Sequence, residues 1–528
     1  MKYQKFFEDS KSKMELLQEN INKPFLILFI LIAYLFVNTG IHSDEYTHVM
    51  ILGKKNLKDI IIPYGNFKQC PIEYYLLAIW YHFMSLDSQI FPCLLKALYG
   101  YLSIYMTFRF FSIFINSQNA FMVAILFFFY PSHDATAYHL LSQYLTITIS
   151  SYLYAYYLIY TDRIKIGFLV AIFAAFISYA SPAIAGGLFV LFMLQREYKK
   201  GIILFMPEIF FVIYFTKYLP SATHTGVKFN LIFFIKQLVI QFFTFIDATI
   251  GPSIWLKIYY SFFQLSILSV IIGIILTIVF YYTKIERDKL DNKLLMSLIV
   301  VVLTGFAMFS YTGSNPDKIT FYPQLAFGLG NRTTVYGSLL LAYIIVIMPM
   351  PKKIQTIFFG VLIFSILGLS DHWKSFEKEK EKVIVNMSNT DSLRDYSNDR
   401  ILFVAGHRYS NYGKMSHINF FSEGWLVDHI IRILFNREYI TTLSIIKRYK
   451  YIDGNIVDLK GNIFIEKVDG YINVYDSDIN KLFKLQPDKI NEYIQSLPDD
   501  NCHWVSMIKN KYINDMILTL IPSMRYSL

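Results

Sequence analysis

Apolar blocks long enough to cross a lipid bilayer recur along most of this chain, and no single soluble core could absorb them. The first is "PFLILFILIAYLFV", beginning at Pro24. A span needs about 20 predominantly apolar residues. Eleven stretches approach that: 24–41, 91–112, 119–132, 139–160, 164–180, 183–195, 201–219, 258–282, 294–312, 333–350 and 354–370. The chain is 55% hydrophobic, above the roughly 45–50% of soluble domains, and the excess comes in blocks with polar segments between them. The expectation is a polytopic α-helical membrane protein. Phe and Tyr supply both interfacial belts and the spans themselves, so their abundance carries no separate function.

Charge sets the orientation. The net charge is +10, but Lys and Arg sit in short loops between apolar blocks, as topology signals do, so nucleic acid is not implied. With the Lys-rich N-terminus inside, the other inside loops read "FINSQN", "TDRIK", "QREYKKG", "TKIERDKLDNK" and "PMPKK", and four of the five are basic. The outside loops, such as "YPSHDATAYH" and "LPSATHTGVKFN", are rich in Ser, Thr, His, Pro and Gly. This places the N-terminus in the cytoplasm and the C-terminus outside. A chain rich in Ile, Lys, Asn, Phe and Tyr fits an AT-rich genome and a bacterial plasma membrane. No cleavable signal peptide is expected: the N-terminal polar stretch is long, and no small-residue cleavage site follows the first block. Cys70, Cys93 and Cys502 form no CxxC, which excludes a disulfide framework.

Two apolar stretches carry internal polar residues: "CPIEYYLLAIWYHFM" at 70–84, and 230–250 with Lys236, Gln237 and Gln241. A charge at mid-bilayer is costly, so both are expected as amphipathic helices along the outer interface. From Asp371 the composition turns polar. "ILFVAG" reads as a buried strand, "GNIFIEKVDGYINVYDS" as a hairpin and "PDKINEYIQSL" as a helix. The expected organisation is a membrane domain over 1–370 and a small extracytoplasmic α/β domain over 371–528, the latter of ordinary domain size. No internal repeat is visible, which weakens folds built from inverted repeats.

The chain leaves its first span through "NTGIHSDEYTHV", where Asp44 and Glu45 stand side by side between His42 and His48. Adjacent carboxylates repel, and a simple polar loop has less need of them. "SDEY" would also cap a short helix, and a cap can fix the direction of a carboxylate. The Pro-led aromatic stretch "CPIEYYLLAIWYHF" follows. One span then ends in "TFRFF", the next in "FFFYP", and the following outer loop holds "SHD" with Asp134. This order resembles the GT-C superfamily of integral-membrane glycosyltransferases, of the protein O-mannosyltransferase and lipid A aminoarabinose transferase type. The resemblance covers motif order over about 20–160 and the architecture of the whole chain. It departs where the familiar "PPL" is "CPI", and where His133 stands in place of a basic residue before the second acidic site.

The resemblance implies transfer of a sugar from a polyprenyl-phosphate donor to a glycan, lipid or protein acceptor at the outer face. No Gly-rich phosphate loop or DxD pair on the inside speaks for a nucleotide sugar. Asp44 would be the general base, with Glu45 orienting the acceptor or remaining structural. Asp134 would position the acceptor, or share a divalent ion with Asp44; Asp134 also suits an N-cap. A leaving lipid phosphate needs cations. Arg332, where the chain re-enters the membrane, and Lys318 are placed for this, and Lys236 less so, since Arg332 and Lys236 also suit snorkelling. His133 and Tyr74 complete the substrate-binding candidates; His133 and His139 lie near a helix start, where local partners usually satisfy them. A polymerase or ligase of lipid-linked oligosaccharide would use large outer loops with Arg and His. A transporter or flippase would need charges at mid-membrane, and almost none are evident.

Overall fold

The computed structural model describes residues 25–42, 45–53, 70–83, 90–178, 181–218, 230–283, 288–312, 334–397, 400–405, 424–436, 441–459, 463–497 and 510–520. It is a helical bundle followed by a small domain with two sheets. A helix lies in each of the eleven expected stretches: Phe25–Phe36, Ile90–Phe111, Ser117–Phe129, Leu140–Tyr160, Ile164–Ile177, Ser181–Leu194, Tyr198–Tyr218, Ile267–Tyr282, Asn292–Thr312, Thr334–Ile347 and Lys352–Ser388. Of these, Ile90–Phe111, Lys352–Ser388 and the helix beginning at Asn292 are long and apolar enough to cross a membrane by length and composition. Local chemistry marks their ends. Asn116 caps Ser117–Phe129 by accepting from the Asn119 N–H at 2.9 Å. Pro131 follows that helix closely, where a Pro cannot continue it.

Two expectations about the apolar stretches change. The stretch Leu231–Phe262 is long and apolar enough to cross a membrane by length and composition, whereas 230–250 was expected along the interface. Helix Leu231–Thr249 packs on Asn292–Thr312 and Thr334–Ile347, and Gln237 and Gln241 are buried there. These two amides therefore face neighbouring helices rather than lipid, and Lys236 is half-buried. After Gly251 a separate helix, Pro252–Phe262, begins with Pro at its first turn, so the apolar run expected as one span over 258–282 is split.

The loops grouped by charge share an end of the bundle. Asp288 accepts from the Asn116 N–H at 3.0 Å and from Nδ2 of Asn116 and Asn119 at 2.7 Å. Lys200 meets Asp162 at 2.9 Å, and Lys352 donates to the carbonyl of Thr283 at 2.8 Å. At the other end meet the chain leaving the first span, the "SHD" loop, helix Pro252–Phe262 and the second half of Lys352–Ser388.

Lys352–Ser388 runs unbroken through Asp371, where the composition changes. Beyond it, β1 (Leu402–Ala405), β2 (Thr442–Ser444), β6 (Ile472–Asp476) and β7 (Lys481–Leu485) form one sheet in the order β2-β1-β6-β7. β1 is parallel to β2 and β6, and β7 is antiparallel to β6. β3 (Tyr449–Ile452), β4 (Asn455–Asp458) and β5 (Ile463–Lys467) form a second, antiparallel sheet. The expected strand and helix at "ILFVAG" and "PDKINEYIQSL" are present. The expected hairpin of β5 with β6 is not. Largely buried β6 sits between β1 and β7, while β5, with Ile463 and Phe464 exposed, pairs with β4. Gly470, at φ +85°, stands in the short link between the sheets.

Candidate active site

Glu45 opens a short helix, Glu45–Gly53, just after the first span. Its carboxylate is fully buried. Oε2 accepts from the backbone N–H of His42, three residues back, at 2.5 Å. Oε1 accepts from the N–H of Leu140 at 2.6 Å. Leu140 is the first residue of the Leu140–Tyr160 helix, where N–H groups lack partners within the helix. One carboxylate therefore caps the Leu140–Tyr160 helix and holds the backbone that precedes its own helix. Burial raises the Glu45 carboxyl to about 6, although the Lys96 ammonium and both N–H donors pull the other way.

Around Glu45 lie charges that the sequence reading passed over. Lys96, on Ile90–Phe111, is fully buried and donates to the carbonyls of Thr39, at 3.4 Å, and Gly40. Glu377 and Lys380, three apart on Lys352–Ser388, form a buried ion pair, and Lys380 also donates to the Ile41 carbonyl. His42 Nδ1 lies 3.9 Å from Glu377 Oε2, and neither ring nitrogen has a hydrogen-bond partner among the described residues. Burial first, then Lys380 and Lys96, hold His42 well below the usual imidazole range. Burial lowers His48 to about 3.

Asp134 belongs to the same end. It is 3% exposed, pairs with Lys257 and accepts from Trp373 Nε1 at 2.8 Å. Trp373 stacks on Tyr138 and lies 4.7 Å from the His42 ring. Trp373 thus joins the acidic loop after the first span to the "SHD" loop. Asp371, two residues back, accepts from the Ser266 N–H at 2.8 Å and fixes the start of Ile267–Tyr282. The described residues hold no cluster of three metal-ligating side chains.

Tyr74 is buried on helix Pro71–Phe83, which packs on Glu45–Gly53. Lys236 is half-buried on Leu231–Thr249. Asp44, Lys318 and Arg332 lie outside the described residues, as does the side chain of His133. The C-terminal domain reaches the site directly: His429, on helix Gly424–Phe435, is 2.8 Å from the Thr47 hydroxyl. A mid-span acid was also overlooked. Glu208, in the middle of Tyr198–Tyr218, is buried and takes hydrogen bonds from the hydroxyls of Tyr152 and, at 3.1 Å, Ser181.

A lone Lys in "CLLKALYGYL" was the available signal for Lys96, since an unpaired ammonium is not left in an apolar helix. The run "EKEKEK" reads as a solvated face. Yet Trp373, Phe376, Glu377, Lys380, Val383 and Met387 recur at helical spacing, and all are buried.

No family model and no curated protein matches the chain. Among solved structures it is similar to ArnT from Cupriavidus metallidurans in the apo state, at 12% identity over 80% of this chain and 86% of that one, with a TM-score of 0.44. It is also similar to the same protein bound to undecaprenyl phosphate, at 11% identity with the same coverage and a TM-score of 0.37.

Proposed function

We propose that the chain is a membrane glycosyltransferase that moves a sugar from a polyprenyl-phosphate donor to a glycan, lipid or protein acceptor at the outer face. The observation that carries this reading is the meeting of two acidic loops. Glu45, beside Asp44, bonds to the start of the Leu140–Tyr160 helix, and Asp134 is joined to His42 through Trp373. A chain needing only a helix cap would not gather two acidic loops and the buried cations Lys96, Lys257 and Lys380 at one end of its bundle.

In this reading Asp44 is the general base. An acceptor hydroxyl gives its proton to the Asp44 carboxylate as its oxygen bonds the anomeric carbon, and the bond from that carbon to the phosphate oxygen breaks. The electron pair leaves with the lipid phosphate, whose charge Arg332 and Lys318 meet. A single displacement inverts the anomeric centre. Carboxylates nearby stabilise the oxocarbenium-like transition state. Glu45, with both oxygens on backbone N–H groups, takes the structural of its two roles. Asp134, held by Lys257 and Trp373, is read as positioning Lys352–Ser388 against the site rather than the acceptor or a shared divalent ion.

The test is to incubate the purified protein in nanodiscs with undecaprenyl- or dolichyl-phosphate sugars and follow release of the polyprenyl phosphate. Release with an inverted glycosidic product supports the reading. Absence of both binding and release across such donors overturns it. Glu208 is the observation that favours a transporter, because a buried mid-span acid is functional by default; substrate flux that depends on Glu208, without sugar transfer, would establish that alternative.

A further inference from the structure

The backbone leaving the first span is irregular, with Asn38 at φ +58° and Gly40 at φ +51°. It belongs to no helix or strand from 39 to 42, so its polar groups must be met by side chains. They are, one after another. The Phe36 carbonyl accepts from the Thr39 hydroxyl at 2.7 Å, and the Leu35 carbonyl from the Ser370 hydroxyl at 2.7 Å. The Thr39 and Gly40 carbonyls face Lys96, and the Ile41 carbonyl faces Lys380. His42 donates its N–H to Glu45 and accepts from the Glu45 N–H at 3.1 Å. Three consecutive carbonyls are thus gripped by two ammonium groups from two other helices.

Charge balance makes the arrangement stable. Two buried lysines, Lys96 and Lys380, stand with two buried glutamates, Glu45 and Glu377, so no charge is left uncompensated in a water-poor site. Space is equally tight. A Cβ at Gly40 would overlap the Glu377 carboxyl group, which Lys380 holds in place. The left-handed backbone and this overlap each require glycine at that position.

We infer that Lys96 and Lys380 are positioning residues: a two-pronged clamp on the carbonyls of Thr39, Gly40 and Ile41 that sets the direction in which the chain enters "SDE". The catalytic half of this inference rests on the glycosyl-transfer reading; the clamp itself does not. Neither lysine acts on substrate. Each serves by fixing the backbone on the span side of Asp44, while Glu45 fixes it on the helix side.

Amide hydrogen exchange of the full chain in nanodiscs tests it, reading 38–46 against the β1–β6 sheet as internal reference. Lys96→Met and Lys380→Met are the direct variants. Removing Lys380 alone leaves Glu377 buried without its cation, so Lys380→Met/Glu377→Gln, which removes both charges, is the variant that keeps the bundle folded. Exchange at 38–46 is expected to rise about tenfold or more with the sheet unchanged. Donor turnover is expected to fall about tenfold or more with the donor KM within about twofold, since small misplacement of a base costs rate more than affinity. Unchanged exchange in the double variant overturns the clamp. Faster exchange with undiminished turnover overturns its positioning role. Exchange is read without any donor, so the clamp is decided even if the wild type transfers no sugar, an outcome that would count against the function alone.

Discussion

Oε1 of Glu45 accepts a hydrogen bond of 2.6 Å from the backbone N–H of Leu140, 95 positions along the chain. Through that one bond the chain leaving the first span is tied to the helix that follows the "SHD" loop. Both oxygens of this carboxylate hold backbone N–H groups, of His42 and Leu140, so Glu45 has a building role.

Removing the builder should therefore cost stability. Glu45→Ala strands two buried N–H donors, each worth about 1–3 kcal/mol when unsatisfied, and strips Lys96 of a counter-charge. A loss of about 2–5 kcal/mol is expected, with Glu45→Gln milder because one acceptor oxygen remains. Thermal unfolding in nanodiscs reads the order; equal midpoints for Glu45→Ala and wild type would contradict it.

Acid should act on the same layer in two opposed ways. Glu45 rises from an ordinary 4.5 to about 6 on burial. Its neutral form is favoured by the fold, so its contribution is full below 4.5 and is lost as pH rises through 6. His48 falls from 6.5 to about 3. Its contribution is full above 6.5 and is lost as pH falls, by roughly 2 kcal/mol at pH 5 at about 1.4 kcal/mol per unit. His42, lowered too, adds to the loss. Net destabilisation between pH 6.5 and 4.5 is expected, and His48→Gln should flatten it. A carboxyl infrared band that titrates near pH 6 in wild type and is missing from Glu45→Gln would identify the glutamate.

Asp134 and Lys257 should behave as a buried pair. Asp134→Ala or Lys257→Met alone leaves an uncompensated charge, at about 3–5 kcal/mol, whereas the double variant should recover much of it. Trp373→Phe removes one N–H donor to Asp134 and should cost about 1–3 kcal/mol. A double-mutant cycle with strictly additive losses would argue against the pair.

Glu208→Gln keeps hydrogen bonding to Tyr152 and Ser181 without the need to bury a charge. It should leave sugar transfer within about threefold of wild type, as a substitution away from the reacting atoms does. A larger loss with unchanged unfolding would give Glu208 a functional part that the glycosyltransferase account does not assign.

Much of this was readable from the residues. Apolar length placed a helix in each expected stretch, and loops grouped together by charge do meet, as Asp288 with Asn116 and Asn119 shows. What was not readable depends on partners far apart in sequence. Lys96 meets carbonyls 56 and 57 positions away, Lys380 meets one 339 away, and Lys257 meets Asp134 from 123 away. Local pattern treats such residues as snorkelling or solvated. Strand pairing failed for the same reason: β5 and β6 look like a hairpin until β1, far upstream, claims β6 as its parallel neighbour.

The central claim is that Asp44 is the base. The most direct measurement is single-turnover consumption of a bound polyprenyl-phosphate sugar by wild type and Asp44→Asn, with donor affinity measured on the same samples. Equal affinity with a rate at least about a hundredfold lower in Asp44→Asn is the expected result, the low end for loss of a general base. A variant that binds the donor and reacts as fast as wild type would contradict the account and leave "SDE" as a helix cap.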